Sequence, residues 1–410
     1  MGSYKDCFIS KSKNKKGNRR ILYIIGSLAV GGAERHVVQV AIRLKELGWE
    51  TEVFVLYPGG PLTDALTKAK VPVYGFFLPN VLSLLLKNAR LRAWTGMAFT
   101  AFVLITKLWF RRPAILHFFL PAAYIFGGLL SFFTFGPAKI MSRRSLRNYQ
   151  AAYPLFTKIE HFLHPRMDLV CGNSLAVVTE LEAEGLEAHR LRLIYNGIDF
   201  SLYNQPFDRR GVRAKFEIPE EAIVFVIVAN LIPYKGHSDL IRALASVKGK
   251  LPEPWILLCL GRDDGIGADL QREAEYLGIA THIRFLGSRT DVPDFLRLAD
   301  VGLLCSHEEG FSNAVLECMA AGLPMVVTDV GGNAEAVLDG VTGYVVPARA
   351  PELLGDAVLR MVLDGRRHVM GEKGRQRAME KFSMSACIDA YEAMYCEATA
   401  GICGGPLVKN

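Results

Sequence analysis

Two glutamates with seven residues between them are the most informative chemical feature of the sequence. Glu309 and Glu317 bracket the stretch EGFSNAVLE, which follows a predicted strand, Val301–Ser306. Ser312 is expected to cap a helix that runs to about Ala321, because serine accepts hydrogen bonds from N-terminal helical N–H groups. That helix start would bind an anion, and flanking carboxylates suit a ligand carrying both phosphates and sugar hydroxyls. The alternative is a helix whose acidic start is favoured only by the macrodipole.

Further candidates lie in or after two other predicted strands. Lys235 follows the strand Ile223–Ala229 and precedes Gly236. A lysine at a strand end can neutralise a diphosphate, and a solvated surface lysine is the alternative. His117 belongs to the apolar strand Ile115–Phe119, which it is expected to end on the side of a cleft. A histidine there is either a functional group or a hydrogen-bonded core residue.

Two arginines and a glycine-rich loop complete the set. Arg143 and Arg144 close another predicted strand and could meet an anionic acceptor, with an exposed surface position as the alternative. The loop Gly26–Gly32 follows the first strand but does not match G-x-G-x-x-G. Gly31 and Gly32 let the backbone approach a phosphate or sugar at the next helix start, unless they only form a tight connection.

Two series of alternating strands and helices must position these residues. The first series runs from Ile21 to about Asp199, and the second begins at Ile223. Their short apolar runs are typical of strands buried on both faces of parallel sheets. We therefore expect an α/β protein with two doubly wound, Rossmann-like domains that face a central cleft, where ligands bind. The predicted strands are Ile21–Ile25, Thr51–Tyr57, Val71–Phe76, Ile115–Phe119, Lys139–Ser142, Leu169–Gly172, Leu191–Tyr195, Ile223–Ala229, Trp255–Gly261, Ile283–Leu286, Val301–Ser306, Met325–Thr328 and Gly343–Val346.

The composition agrees with a large folded protein. Of the 410 residues, 50% are hydrophobic and 22% are charged, which excludes a mainly disordered chain. Eight cysteines without a C-x-x-C pair exclude a zinc ribbon and a disulfide scaffold, and they fit a reducing cytosol. The predicted organisation is a basic tail (1–20), a first domain (21–205), a second domain (206–383), and a C-terminal helix and tail (384–410) that pack back on the first domain.

Most of the net charge of +7 belongs to the N-terminal tail. Residues 1–20 contain seven Lys and Arg and one acidic residue, Asp6, which leaves +1 for the rest of the chain. Such a tail is either solvated and disordered or attracted to an anionic membrane surface. Nucleic acid is not an expected partner, because the remaining sequence lacks a basic patch with interleaved aromatic residues.

One apolar segment is long enough to cross a membrane. Pro113–Ala138 has 26 residues and no Asp, Glu, Lys or Arg. Internal Pro121 and two glycine pairs favour instead a buried strand, a turn and a helix to about Phe133. The preceding stretch, Met97–Phe110, is also apolar and aromatic. Helices of this kind on a domain surface would form a membrane-docking face.

A series of short motifs in a fixed order carries a family resemblance. The motifs are GGAER at 31–35, LH at 116–117, NGID at 196–199, KG at 235–236, FLG at 285–287, the glutamate pair, AAGLP at 320–324, VGG at 330–332 and GVTG at 340–343. With them the chain resembles the retaining glycosyltransferases of family four, which have the GT-B fold. The resemblance extends from Ile21 to about Ala398.

The resemblance implies transfer of a sugar from a nucleotide sugar with retention of configuration. Glu309 would hold donor-sugar hydroxyls, Glu317 the ribose, and Lys235 the diphosphate, with no metal or other cofactor required. The absence of an Asp-x-Asp pair agrees with metal independence. The implied catalytic residues are Glu309 and His117; the donor-binding residues are Gly32, Asn230, Lys235, Gly310, Phe311, Ser312, Asn313, Ala314 and Glu317; the acceptor-binding candidates are Gly31 and Arg143.

Two positions depart from the family pattern. Asn230 stands where the family often has an arginine that binds the diphosphate, and the loss of that charge predicts weaker donor binding. Phe119 stands where a second histidine is often found. Asn230 leaves open a catalytically weak subunit that only binds a sugar nucleotide, and Phe119 leaves open which residue besides His117 shapes the catalytic pocket.

The leading hypothesis is a retaining hexosyltransferase that is peripheral to the cytoplasmic face of the inner or plasma membrane. We expect a UDP-sugar as donor, in preference to a guanosine nucleotide. The expected acceptor is a lipid-linked saccharide in surface polysaccharide or lipopolysaccharide assembly. The alternatives are the binding subunit, a sugar-nucleotide epimerase of the same fold, and an integral membrane protein spanning through Pro113–Ala138.

Overall fold

The computed structural model describes residues 18–75 and 88–402. The predicted basic tail up to residue 17, Phe76 of the third predicted strand and the chain end after residue 402 lie outside the described residues.

Strands and helices alternate along the described chain, as the sequence predicts. The strands are β1 (Arg20–Ile25), β2 (Glu50–Val55), β3 (Val73–Tyr74), β4 (Ile115–Phe119), β5 (Ala138–Arg143), β6 (Leu169–Gly172), β7 (Leu191–Leu193), β8 (Ile223–Val228), β9 (Trp255–Leu260), β10 (Ile283–Phe285), β11 (Val301–Leu304), β12 (Met325–Thr328) and β13 (Gly343–Val346). The helices are α1 (Gly32–Glu46), α2 (Thr63–Lys68), α3 (Ala89–Arg111), α4 (Pro121–Leu130), α5 (Asn148–Ala152), α6 (Pro154–Leu163), α7 (Leu175–Ala183), α8 (Arg209–Lys215), α9 (His237–Val247), α10 (Gly267–Tyr276), α11 (Val292–Leu298), α12 (Asn313–Ala320), α13 (Asn333–Ala336), α14 (Pro351–Leu363), α15 (Arg367–Lys381) and α16 (Met384–Ile402).

The first sheet has seven strands in the order β3-β2-β1-β4-β5-β6-β7. β1 is parallel to both of its neighbours, β2 and β4, and Tyr23 is in register with His117. All residues of β1 from Ile21 to Ile25 are buried, because helices cover both faces of such a sheet. The chain leaves β1 in one direction and returns to its other side at β4. The end of β1 is therefore a point where open α/β sheets bind ligands.

The second sheet has six strands in the order β10-β9-β8-β11-β12-β13, and all its pairings are parallel. Alternate residues of β8 enter opposite cores. Phe225 and Ile227 pack in one apolar cluster, whereas Val224 and Val226 pack in another. The strand order reverses between β8 and β11, which makes the carboxyl ends of these two strands the second expected ligand position.

The described structure confirms the predicted class, which is α/β with two parallel sheets. The chain divides into two compact units. The first unit contains the chain up to Met141, Arg166–Asp168 and the chain from Tyr395 onward; the second contains Ser142–Pro165 and Leu169–Met394. The predicted division near residue 205, and the packing of the last helix on the first domain, stay predictions.

The hypothesis of a span through Pro113–Ala138 is wrong. This segment contains the fully buried strand β4, then α4, a 3₁₀ turn at Ser131–Phe133 and the start of β5. The strand–turn–helix interpretation is therefore confirmed. Among the described residues, one helix, α3, is long and apolar enough to cross a membrane by length and composition alone. Only 17% of its most apolar window is buried inside the protein.

Candidate functional site

Lys235 and Glu309 form an ion pair at the point where the second sheet reverses its strand order. Lys235 follows β8 and Glu309 follows β11, which is the neighbouring strand. The Lys235 Nζ lies 2.5 Å from the Glu309 Oε1, and Ser306 Oγ donates to the same oxygen over 2.8 Å. Only 18% of the lysine side chain and 10% of the glutamate side chain are exposed. Both charges are thus concentrated where a ligand of this sheet is expected.

Gly236 allows the loop after β8 to approach the end of β11. Its φ of +71° is in the left-handed region, and a Cβ at this position would lie 2.0 Å from the carbonyl oxygen of Cys305. A residue with a side chain would therefore meet both backbone strain and a clash with backbone atoms. The close approach brings the neighbouring Lys235 within reach of Glu309.

Helix α12 begins at Asn313, directly after Ser312, as the sequence predicts. Within the described residues, the Ser312 side chain makes no capping hydrogen bond, which corrects its predicted role as a capping side chain. The first turn of a helix carries backbone N–H groups without intrahelical partners. Together with the helix dipole, this start favours an anionic ligand.

Asn196 holds the loop before α12 in place. Its Nδ2 donates to the carbonyl oxygen of Phe311 over 3.0 Å and to Asn313 Oδ1 over 2.6 Å, and its Oδ1 accepts from the Arg144 guanidinium. The same loop is also held by a hydrogen bond from Gly332 N to the carbonyl oxygen of Gly310. Sequence reasoning missed Asn196 as a site residue, although the NGID turn after a strand was a usable signal.

Ser306 contacts the ion pair through Glu309, and Glu317 lies further along the chain on α12. Ser306 was also missed, although a serine at the end of a buried strand in such a sheet is a usable signal. Glu317 lies on α12 and is half-buried. Burial and then the negative charge of Glu317 raise the pKa of Tyr203.

Asn230, the departure from the family pattern, is half-buried at the end of β8. Its Oδ1 accepts a hydrogen bond from the backbone N–H of Arg262, 3.1 Å away. The Arg262 side chain is exposed and forms a two-point ion pair with Asp264. The uncharged side chain at position 230 thus connects the ends of β8 and β9.

Arg143 is buried in an ion pair. Its Nη1 lies 2.7 Å from Glu184 Oε1, and only 4% of each side chain is exposed. The alternative that placed Arg143 at an exposed surface is therefore wrong. Its contact with an acceptor stays a prediction.

Gly31, Gly32 and His117 belong to the first compact unit, whereas Lys235 and Glu309 belong to the second. Gly31 precedes α1, which starts at Gly32 after the end of β1. Both glycines are therefore at the ligand-binding end of the first sheet.

His117 is the central residue of β4 and is fully buried, which corrects its expected position at the strand end. Its Nδ1 lies 2.6 Å from the hydroxyl oxygen of Tyr395, and that hydroxyl donates to Tyr23 over 3.3 Å. These contacts favour the interpretation of His117 as a hydrogen-bonded core residue. A catalytic role for it stays a prediction.

Both halves of the chain match models of known protein families. Residues 30–202 match the family model described as Glycosyltransferase Family 4, and residues 208–377 match Glycosyl transferases group 1. A similar curated protein is the D-inositol 3-phosphate glycosyltransferase of Saccharomonospora viridis, which is 31% identical over 251 residues. That alignment covers 58% of this chain and 58% of the relative, so the chain spans about three fifths of the length of this relative.

Two solved structures resemble nearly the whole chain. HepE from Anabaena, in complex with UDP and glucose, has a TM-score of 0.79 at 21% identity, covering 92% of this chain and 99% of HepE. WaaG, a glycosyltransferase involved in lipopolysaccharide biosynthesis, has a TM-score of 0.66 at 19% identity, covering 94% of this chain and all of WaaG. At these identities the likeness concerns the fold alone.

Proposed function

Because the chain belongs to glycosyltransferase family four and has the GT-B fold, we propose that it transfers a hexose from a nucleoside diphosphate sugar to an acceptor with retention of configuration. The observation that carries this proposal is the Lys235–Glu309 pair at the carboxyl ends of β8 and β11. A diphosphate has the charge to replace Glu309 as the partner of Lys235. Glu309 is then available to accept hydrogen bonds from the hydroxyl groups of the donor sugar.

The same residues explain how the donor bond breaks. Positive charge builds at the anomeric carbon while the diphosphate leaves, so stabilising the leaving group lowers the barrier most. Lys235 supplies a positive charge, and the start of α12 supplies backbone N–H groups and the positive end of a helix dipole. In this proposal the acceptor hydroxyl attacks the anomeric carbon from the same face of the sugar that the diphosphate leaves. An oxygen of the departing diphosphate takes the proton of that hydroxyl. Transfer then requires no metal ion.

We favour UDP as the nucleotide of the donor. Support comes from the likeness to HepE, which has been crystallised with UDP, with UDP and glucose, and with UDP-glucose. Of the residues predicted to bind the donor, those in the second unit lie on or beside the loops after β8 and β11. These residues are Asn230, Lys235, Gly310, Phe311, Ser312, Asn313, Ala314 and Glu317.

The proposed acceptor is a saccharide linked to a lipid, reached from the cytoplasmic face of the membrane. The first unit supports this with exposed aromatic side chains on and after α3, such as Phe102, Phe110 and Phe135. Residues 65–141 contain nine Lys and Arg and no Asp or Glu. Apolar side chains within a cationic segment suit a surface of anionic lipids.

A groove in the first unit fits the lipid part of such an acceptor. Its volume is about 850 Å³, and its apolar lining includes Trp109, Phe133 and Phe135. Arg19 and Arg112 also line it and could pair with a phosphate. We propose that this groove takes the hydrocarbon chain next to a phosphorylated end. Nucleic acid is not a proposed partner.

The test is turnover of UDP-, GDP- and ADP-sugars by the purified full chain, with and without polyprenyl-phosphate-linked saccharides in vesicles. Formation of UDP together with a glycosylated lipid, with an unchanged anomeric configuration by NMR, is the expected result. An altered sugar nucleotide without any acceptor would instead establish an epimerase. Binding of UDP without turnover of any donor and acceptor would favour a binding subunit, the alternative suggested by Asn230.

The substitution Glu309→Gln distinguishes an effect on sugar transfer from an effect on UDP binding. The variant keeps the size of the side chain but loses the charge that strengthens hydrogen bonds to sugar hydroxyls. We expect kcat/KM to fall about 10- to 100-fold, while UDP binds as tightly as to the wild type or more tightly, because the glutamine no longer competes with the diphosphate for Lys235. Glu308→Gln, at the preceding position, is the matched control and should keep the wild-type rate. An active Glu309→Gln enzyme with wild-type kcat/KM would contradict the assigned role.

A further inference from the structure

Two histidines and a glutamate that do not belong to the loops after β8 and β11 converge in the second unit. His161 lies in α6, His164 opens the 3₁₀ turn that follows, and Glu184 comes directly after α7. The spacing of three residues places both histidines on one side of the helical turns. Glu184 Oε2 is 3.1 Å from His164 Nε2 and 3.6 Å from His161 Nε2. We call these three residues the histidine–glutamate cluster.

The spacing of the cluster matches that of the ligands of a small transition-metal ion. Nitrogen and carboxylate ligands lie about 2.0–2.2 Å from Zn²⁺ in a tetrahedral site, which puts them roughly 3.3–3.5 Å from one another. The two measured distances lie on either side of that range. All three potential ligand atoms fall within 4.8 Å of one another, so only small shifts are needed to surround an ion.

Burial gives the cluster a closed side and an open side. The side chains of His164 and Glu184 are each 4% exposed, whereas that of His161 is 45% exposed. An ion can therefore enter past His161, and water can complete its coordination from the same direction. Two imidazoles and one carboxylate suit Zn²⁺ and its neighbours, while Mg²⁺ and Ca²⁺ prefer oxygen ligands.

The groups behind Glu184 orient its carboxylate. Oε1 accepts from Arg143 Nη1 over 2.7 Å and from Gln150 Nε2 over 3.3 Å, so Oε2 is the oxygen that faces the histidines. Arg143 and Gln150 thus hold Glu184 from behind and leave Oε2 directed at His161 and His164, as the supporting contacts of a metal ligand do.

A second buried carboxyl group lies behind the cluster. Glu160 is buried and accepts from the Tyr149 hydroxyl, 2.9 Å from its Oε2, and from Gln150 Nε2, 3.2 Å away. Two buried carboxyl groups, Glu160 and Glu184, therefore surround one buried guanidinium, Arg143. A bound cation would balance this arrangement.

We propose that the histidine–glutamate cluster is a structural site for one divalent transition-metal ion of the Zn²⁺ class. The ion would join α6 and the end of α7 to the end of β5, because Glu184 also holds Arg143. Arg144 follows in sequence, and its side chain binds Asn196, which holds the loop before α12. The site stabilises the framework behind that loop and takes no part in sugar transfer, so the proposal does not depend on the proposed function.

The test uses the full chain without a polyhistidine tag, stripped of metal by a chelator and then dialysed. Zn²⁺ is titrated by calorimetry, Co²⁺ by visible absorption, and the melting temperature is measured with each ion and with Mg²⁺. We expect one Zn²⁺ or Co²⁺ per chain, a higher melting temperature with both, and no effect of Mg²⁺. Absence of Zn²⁺ and Co²⁺ binding would overturn the proposal.

Variants locate the bound ion. His161→Ala removes the half-exposed ligand with little risk to folding, and we expect it to weaken Co²⁺ binding about tenfold or more. His189→Ala is the matched control, because this histidine is 72% exposed and lies 3.5 Å from Glu187 without a further ligand nearby among the described residues. Wild-type Co²⁺ affinity in His161→Ala, or an equal loss in both variants, would reject the assigned site.

Discussion

Lys235 Nζ lies 2.5 Å from Glu309 Oε1, although the two residues are 74 positions apart in the chain. Each residue follows a parallel strand, and β8 and β11 are neighbours in the sheet. The two charges neutralise each other in a mostly buried position. A diphosphate that competes for the lysine would release the glutamate, which links donor binding to the availability of Glu309.

Lys235→Met is expected to weaken UDP binding about 10- to 100-fold, because a charge-assisted contact to the diphosphate is lost. Lowered thermal stability should accompany this loss, since Glu309 remains mostly buried without its cationic partner. Calorimetry with UDP and a melting curve measure the two effects. Lys250→Met removes an exposed lysine of the same unit and serves as the control. Equal UDP affinity in the two variants would contradict a diphosphate site at Lys235.

Gly236→Ala tests the close approach between the loop after β8 and the end of β11. Gly340 is a matched control, because its φ of +69° nearly equals the +71° of Gly236, while a Cβ added to Gly340 would meet no atom within 4 Å. Gly340→Ala should cost only the backbone strain, roughly 1 kcal/mol of unfolding free energy. Gly236→Ala should cost about 1–3 kcal/mol more and weaken UDP binding, because the loop must move away from Cys305. Similar melting temperatures for both variants would show that the contact has no energetic importance.

The exposed aromatic residues of α3 lead to a prediction about membranes. Phe102 is 64% exposed and Phe110 is 85% exposed. Replacing both with Glu should weaken binding to phosphatidylglycerol vesicles about tenfold or more, as apolar contact is lost and negative charge is added. Flotation with vesicles measures this, and neutral vesicles should bind the wild-type chain less. Tyr276→Glu changes an exposed aromatic residue of the second unit and should have no effect. Unchanged flotation of the double variant would remove α3 from the proposed docking surface.

The buried side chain of His237 should make the protein less stable as the pH falls. It is buried at the start of α9, and within the described residues neither ring nitrogen has a hydrogen-bond partner. Burial and then the charge of Lys235 lower its pKa from 6.5 to about 4. Between these values the unfolded chain binds a proton that the folded chain does not, so the unfolding free energy falls as the pH falls. His237 is expected to lower the unfolding free energy by about 3 kcal/mol as the pH falls from 6.5 to 4.

The measurement for His237 is the unfolding free energy in denaturant at pH 7, 6, 5 and 4. His237→Leu should lose less stability over this range than the wild-type chain, whereas His189→Ala should follow the wild type, because His189 is exposed. Parallel curves for His237→Leu and the wild type would mean that the buried imidazole does not resist protonation.

The sequence predicted most of the secondary structure because the relevant signals are local. Short apolar runs bounded by turn-forming residues are typical of buried strands. Ile115–Phe119, Leu169–Gly172, Met325–Thr328 and Gly343–Val346 were predicted with the bounds that the structure has. The same patterns placed Lys235 and Glu309 in loops after strands. The ends of β2, β7 and β11 were each predicted two residues too late, because strand pairing, which is not local, decides where a strand ends.

By itself, then, the sequence determined the α/β class, the strand–helix alternation and the loops that carry the candidate residues. Only the tertiary structure decided which of these residues meet. Lys235 contacts Glu309 because β11 inserts beside β8 after two intervening strands, an order that no local pattern specifies. Arg143 meets Glu184, and His117 meets Tyr395, for the same reason. The energies of such contacts depend on burial and on partners distant in the chain, and both exist only once the sheets and helices have packed.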